Sequence, residues 1–106
     1  MNDKKLQAHV KSGRTVDGGR SFVRMPAPAL VCKDGFKVSV QASATHYCNP
    51  RDNDGPYTEF ELGFPSEQDS LIQEYAEEAD KPTDTVYGHV PLTTVLSLLE
   101  KHGGVE

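Results

Sequence analysis

Apolar and polar positions alternate most regularly between residues 29 and 45, where Phe36, Val38, Val40, Ala42 and Ala44 share one parity and Lys37, Ser39, Gln41, Ser43 and Thr45 take the other. A period of two marks a strand with one buried face. Asp34-Gly35 splits the run at the spacing of a two-residue type I′ turn, which predicts a hairpin. Pairing Lys33 with Phe36 would set Val31 opposite Val38 and Ala29 opposite Val40. The alternation returns over residues 57–64, where Phe60, Leu62 and Phe64 interleave with Glu59 and Glu61, predicting a third strand.

The period then changes. Leu71, Ile72, Tyr75, Ala76 and Ala79 fall at helical spacing behind Ser66 as N-cap, with Glu67 and Asp69 in the first turn, and Lys81-Pro82 closes the segment. Residues 85–90 have strand composition. Pro91 opens a last helix in which Leu92, Val95, Leu96 and Leu99 form the apolar stripe, and Gly103 follows as its C′ glycine. The order β-β-β-α-β-α predicts an α+β fold, with two helices on one face of a mainly antiparallel sheet of about four strands. Residues 1–21 have no sustained period and contain Gly13, Gly18 and Gly19, so they read as a mobile head with a short element around Leu6 and Val10, ahead of a single domain over 22–106.

Composition narrows the function classes. A chain of 106 residues with 36% hydrophobic and 25% charged residues fits one globular domain. No run has the length of a membrane span and the start lacks a signal's apolar middle, so a cytoplasmic protein with no membrane partner is expected. The net charge of −5 hides an asymmetry: residues 1–49 hold eight Lys and Arg against three acids, and residues 50–106 hold three against thirteen. The acidic half repels phosphates, which argues against specific nucleic-acid binding and fits a basic surface on a protein partner. Cys32 and Cys48 are too few for a disulfide scaffold and form no Cys-x-x-Cys pair.

Most chemistry-bearing side chains crowd one loop, over residues 46–57. Asp52-Asn-Asp-Gly55 superficially suggests a calcium loop, but Pro50 stands where the first ligand is needed, so a turn is the better reading. His46 and Cys48, on one side of a strand, could with Asp52 make a metal site or a thiol and its base. Two carboxylates at Glu59 and Glu61 could act as acid and base, although the spacing first of all describes a solvated strand face. His89 and His102 need no function, the second because a cation at a helix end suits the dipole. With no phosphate loop, nucleophile elbow or zinc-protease motif, nothing argues for an enzyme and no cofactor is implied. Recognition remains: Tyr47, Asn49, Arg51, Asp54, Tyr57 and Tyr87 are the candidate binding residues, Tyr and Arg being the types that concentrate interface energy.

The text Gly55-Pro-Tyr-Thr-Glu-Phe-Glu-Leu-Gly-Phe-Pro-Ser66, with Val86-Tyr-Gly-His-Val-Pro91 and the His102-Gly-Gly ending, resembles the short accessory proteins of tailed bacteriophages and their prophages. The likeness covers the last half of the chain and carries no functional residue across. It implies a counter-defence inhibitor that binds and disables a host component, in the host cytoplasm. Two other readings stand beside that one. The same Tyr and Arg residues could sequester a small anionic ligand such as a nucleotide signal, by cation contact and base stacking. Alternatively, His46, Cys48 and Asp52 could serve a metal-dependent enzyme.

Overall fold

Alternating side chains commit a strand to burying one face, and the chain satisfies that demand with a meander. The computed structural model describes residues 1–12 and 27–106, together with the backbone of 14–17 and 22–25. Its elements run α1 (Asp3–Lys11), β1 (Arg14–Asp17), β2 (Phe22–Met25), β3 (Leu30–Val31), β4 (Lys37–Gln41), β5 (Glu59–Gly63), β6 (Val86–Pro91) and α2 (Leu92–Lys101), with a 3-10 turn at Gln73–Tyr75. β1 pairs with β2, and β3-β4-β5-β6 form a four-stranded antiparallel sheet in sequence order, so the fold is α+β. Val38 and Val40 of β4, Phe60 and Leu62 of β5, and Tyr87 and Val90 of β6 are wholly buried on one face. α2 packs Val95, Leu98 and Leu99 into that core.

Both sheet edges are covered. The tail after α2 turns through Gly103 (φ +90°) and Gly104 (φ +85°), which few residues other than glycine adopt, and runs back along β3. There Lys33 N donates to Gly104 O at 2.9 Å and Glu106 N to Val31 O at 2.8 Å. On the far side Glu77 N donates to Val86 O, and Ala76 bridges Tyr87. An edge paired in this way is not open to another chain's strand.

Several expectations are corrected. The hairpin forms, but in a register one residue away: Leu30 opposes Val38, Val31 opposes Lys37, and Cys32 N donates to Phe36 O. The loop is therefore three residues, Lys33, Asp34 and Gly35, with Gly35 at φ +96° completing the turn. This register buries Leu30 and Cys32 instead of Ala29 and Val31. In α2 Leu98 is buried and Leu96 is only half-buried. Phe64, expected inside, stands 57% exposed at φ +50°.

The helix expected from Ser66 onward does not form, because its side chains bond elsewhere. Ser66 Oγ accepts from Lys37 N and Asp69 Oδ1 from Leu71 N, so local polar bonds compete with a helical ladder. Only Gln73–Tyr75 winds. The short element expected around Leu6 and Val10 is a packed helix at the start of the head that was expected to be mobile. Asn2 caps α1 by accepting from Lys5 N, Leu6 and Val10 are buried, and the Gln7 amide pairs with the Tyr57 backbone in both directions, at 2.7 and 2.8 Å. Gly13, Gly18, Gly19 and Arg20 lie outside the described residues.

Candidate functional site

The long β4–β5 connection is closed at its base and pinned inside. Thr58 N and Glu59 N donate to Asn49 O, Asn49 N donates to Glu59 O, and Asn49 Nδ2 donates to Thr58 Oγ1. Above this neck Asp52 Oδ1 accepts from Asp54 N and Gly55 N at 3.0 and 2.9 Å, and the Tyr57 hydroxyl donates to Asp52 O. The Gly55 and Asp54 amides hold the Asp52 carboxyl below the usual carboxylate range. Asp54 is exposed at the tip.

The neck positions Tyr47 over the outer sheet face. Between Phe60 opposite Val90 and Leu62 opposite Tyr87, β5 has one residue, Glu61, and β6 has two, Gly88 and His89: a β-bulge. His89 takes φ +53° there, a conformation costing a non-glycine residue about 1–2 kcal/mol. The bulge turns the His89 amide outward, where it donates to Tyr47 O at 3.0 Å, while Tyr47 N donates to Glu61 Oε1 at 3.1 Å. Gly88 lets the loop approach, since a Cβ there would lie 3.3 Å from Tyr47 Cβ.

Held by both backbone groups, Tyr47 is 44% exposed, and its ring has two neighbours. The Arg51 guanidinium lies 5.5 Å from the ring centroid, and the His89 imidazole is 6.3 Å away, tilted by 43°. Such a cation over an aromatic face is attracted by the ring quadrupole, by about 0.5–1 kcal/mol at an exposed site. His89 Nδ1 lies 3.0 Å from Glu59 Oε1. The nearby carboxylates are thus engaged: Glu61 by Tyr47 N, Glu59 by His89, and Asp52 by its own turn. Among the described residues Arg51 has no hydrogen-bond acceptor or ion-pair partner, and it is exposed.

Of the six binding candidates, the structure brings Tyr47 and Arg51 together and uses Asn49 to close the neck. It removes two others: Tyr57 and Tyr87 are core residues, 2% and 0% exposed, with their hydroxyls bonded to Asp52 O and Pro82 O. The metal or thiol candidates have partners of another kind. His46 Nδ1 lies 2.6 Å from Ser43 Oγ, and the Cys48 thiol faces the carbonyls of Ser43 and Pro50. Burial pushes that thiol's pKa up, against nucleophile chemistry. Among the described residues no group of three His, Cys, Asp or Glu is placed to hold a metal ion, and no helix is long and apolar enough to cross a membrane.

The sequence reading gave no function to His89 or to His102, which is buried between Asp34 and Asp69, and took Glu59 and Glu61 first of all as a solvated strand face. Gly88 ahead of His89 in a strand was a usable signal, because a glycine inside a strand marks a bulge or a close approach. No protein-family model, curated protein or solved structure matches the chain.

Proposed function

We propose that the protein is a binding protein whose contact surface is the Tyr47 and Arg51 platform, taking a partner protein that offers a carboxylate to Arg51 and an apolar group to Tyr47. One observation carries this reading: an arginine fork braced on an exposed tyrosine, without an acceptor among the described residues while the carboxylates around it are spent on backbone amides and His89. A planar donor fork of this kind matches a carboxylate bidentately, and Tyr beside Arg is the pairing most enriched where interfaces concentrate their energy. The acidic remainder of the chain complements basic groups around that anchor and steers the encounter. Following the resemblance to phage accessory proteins, the partner is a host defence protein in the bacterial cytoplasm, inhibited by occlusion. The reading in which a small anionic ligand stacks on several tyrosines loses Tyr57 and Tyr87 to the core, leaving it Tyr47 alone.

The test is capture from a bacterial lysate, purification of the captured protein, and calorimetry against wild type and the Tyr47→Ala, Arg51→Ala double variant. The double variant should lose more than about 2 kcal/mol of affinity with an unchanged circular-dichroism spectrum, and salt should slow wild-type association. Equal affinities would remove the platform as the site. Arg51-dependent binding of a nucleotide, with no protein partner, would replace this reading with the small-ligand one.

A further inference from the structure

His102 caps the C-terminal end of α2 and lies almost wholly inside, with its ring stacked on Phe36 at 3.9 Å and 7°. Both ring nitrogens face carboxylates: Nδ1 is 2.7 Å from Asp34 Oδ2, in the β3–β4 turn, and Nε2 is 2.8 Å from Asp69 Oδ2, in the loop after β5. An ionised carboxylate only accepts, so each nitrogen must carry a proton and the ring is an imidazolium. Two further charges face this group, Glu67 at 4.0 Å from Nδ1 and Lys101, whose Nζ is 3.1 Å from Asp69 Oδ1. Three separate segments therefore meet on one cation: the hairpin turn, the 66–72 loop and the start of the tail that covers β3.

We propose that this junction is a pH-sensitive latch, which fastens the C-terminal tail and the 66–72 loop to the sheet while His102 is an imidazolium and loosens the tail when the ring gives up a proton. A neutral ring has one N–H for two carboxylates, and its bare nitrogen then faces an acceptor at hydrogen-bond distance. The break falls on the Asp34 side. Asp34 is half exposed and can hydrate, whereas the Asp69 side chain is 2% exposed and needs its donors. Next to Asp34 are the bonds that hold the tail, from Lys33 N to Gly104 O and from Asp34 N to His102 O.

The pKa directions agree with this geometry. Burial alone would lower the His102 pKa, but hydrogen bonds and charge from Asp69 and Asp34 outweigh it and raise the value. Phe36 N and His102 lower that of Asp34. For Asp69, burial is outweighed by Leu71 N, His102 and Lys101, and its value is lowered. Next to the junction, burial and the Asp34 charge raise the Cys32 thiol. A raised folded-state pKa on a histidine means that the contribution is complete below the ordinary value of about 6.5 and is lost as pH rises through the folded value. The lowered carboxylates act oppositely: their contribution is complete above the ordinary value of about 3.9 and is lost as pH falls through their folded values. The latch is closed between those limits.

The experiment is a pH series of amide hydrogen exchange on the full chain, corrected for intrinsic rates, beside an NMR titration of His102. Opening at Lys33 and Glu106 should increase about tenfold for each pH unit between about 6.5 and the measured His102 pKa, then level off. Amides at the β5–β6 centre should stay protected. Asp34→Asn should lower the His102 pKa and narrow the sensitive window by the same number of pH units. Tail exchange that stays flat while His102 titrates would overturn the proposal. So would a ring that is neutral at pH 6, or tail and β5–β6 amides that open together with one pH profile. The wild-type titration suffices should the variant not fold.

Discussion

Replacing Leu6 by Ala asks whether α1 belongs to the folded structure. The helix has nine residues, fewer than the 12–15 at which isolated helices become even marginal in water, so its own hydrogen bonds do not keep it formed. What holds it is the burial of Leu6 and Val10, 0% and 1% exposed, with the Gln7 amide clamped on the Tyr57 backbone. Truncating a fully buried leucine loses its transfer free energy and leaves a cavity, which together cost about 2–5 kcal/mol. Gln7→Ala should cost about 1–3 kcal/mol by another route, since Tyr57 N and O lose their partner in a part-buried place. Lys5→Ala, on the exposed side of the same helix, should cost less than about 0.5 kcal/mol. Urea unfolding reads the global values, and amide exchange over residues 6–11 distinguishes destabilisation of the whole from detachment of α1 alone. If Leu6→Ala matched Lys5→Ala in both measurements, the helix would not be docked as described.

Two glycines separate backbone strain from contact in the sheet. Gly35 sits at φ +96° with nothing within 4 Å of a would-be Cβ, so Gly35→Val should lower stability by about 1–3 kcal/mol through conformation alone, whereas Gly63→Ala, whose Cβ would meet Val86 Cγ1 at an ordinary 3.7 Å, should stay within about 1 kcal/mol of wild type in urea unfolding. Gly88→Ala should move the loop through its 3.3 Å approach to Tyr47 Cβ, and so weaken partner binding severalfold in calorimetry while the exposed side chains are untouched; an unchanged affinity would mean that Tyr47 need not be held where it is.

How far the sequence was legible depended on which physics each segment obeys. Alternation located β4 and β5, and the 3.6 period located α2, because those elements are decided by one buried face. The hairpin register slipped by one because Asp34-Gly35 suits both a two-residue turn and a three-residue turn ending in glycine, and the burial of Leu30 and Cys32 decides between them. α1 was anticipated only as a short element in a mobile head, because only Leu6 and Val10 mark its buried side, and its third anchor is a polar amide. The opposite error over residues 66–80 has the same cause. Ser66, read as a cap, bonds across to β4, and Asp69, read as a helix-dipole partner, is held by His102, more than thirty residues further along the chain.

The site was half legible for a related reason. Tyr47 and Arg51 declare themselves by type, but what aims them is the bulge, and its cause lies in another strand. His89 pays about 1–2 kcal/mol to hold a left-handed backbone in mid-sheet, and that cost persists only where the surroundings fix the conformation. Those surroundings are the loop itself: the His89 amide is bonded by Tyr47 O and its ring by Glu59, while Glu61, the residue opposite the bulge, takes Tyr47 N. Loop and bulge are therefore held by the same set of bonds. It follows that His89→Val, which resists the left-handed backbone, should unsettle bulge and loop together, whereas His89→Gly, which fits that backbone and loses only an exposed hydrogen bond between the ring and Glu59, should stay within about 1 kcal/mol of wild type. His89→Val should make Tyr47 and Arg51 more mobile in NMR relaxation, and weaken binding. If the relaxation of the 46–57 loop matched wild type in that variant, the bulge would not be what holds the platform.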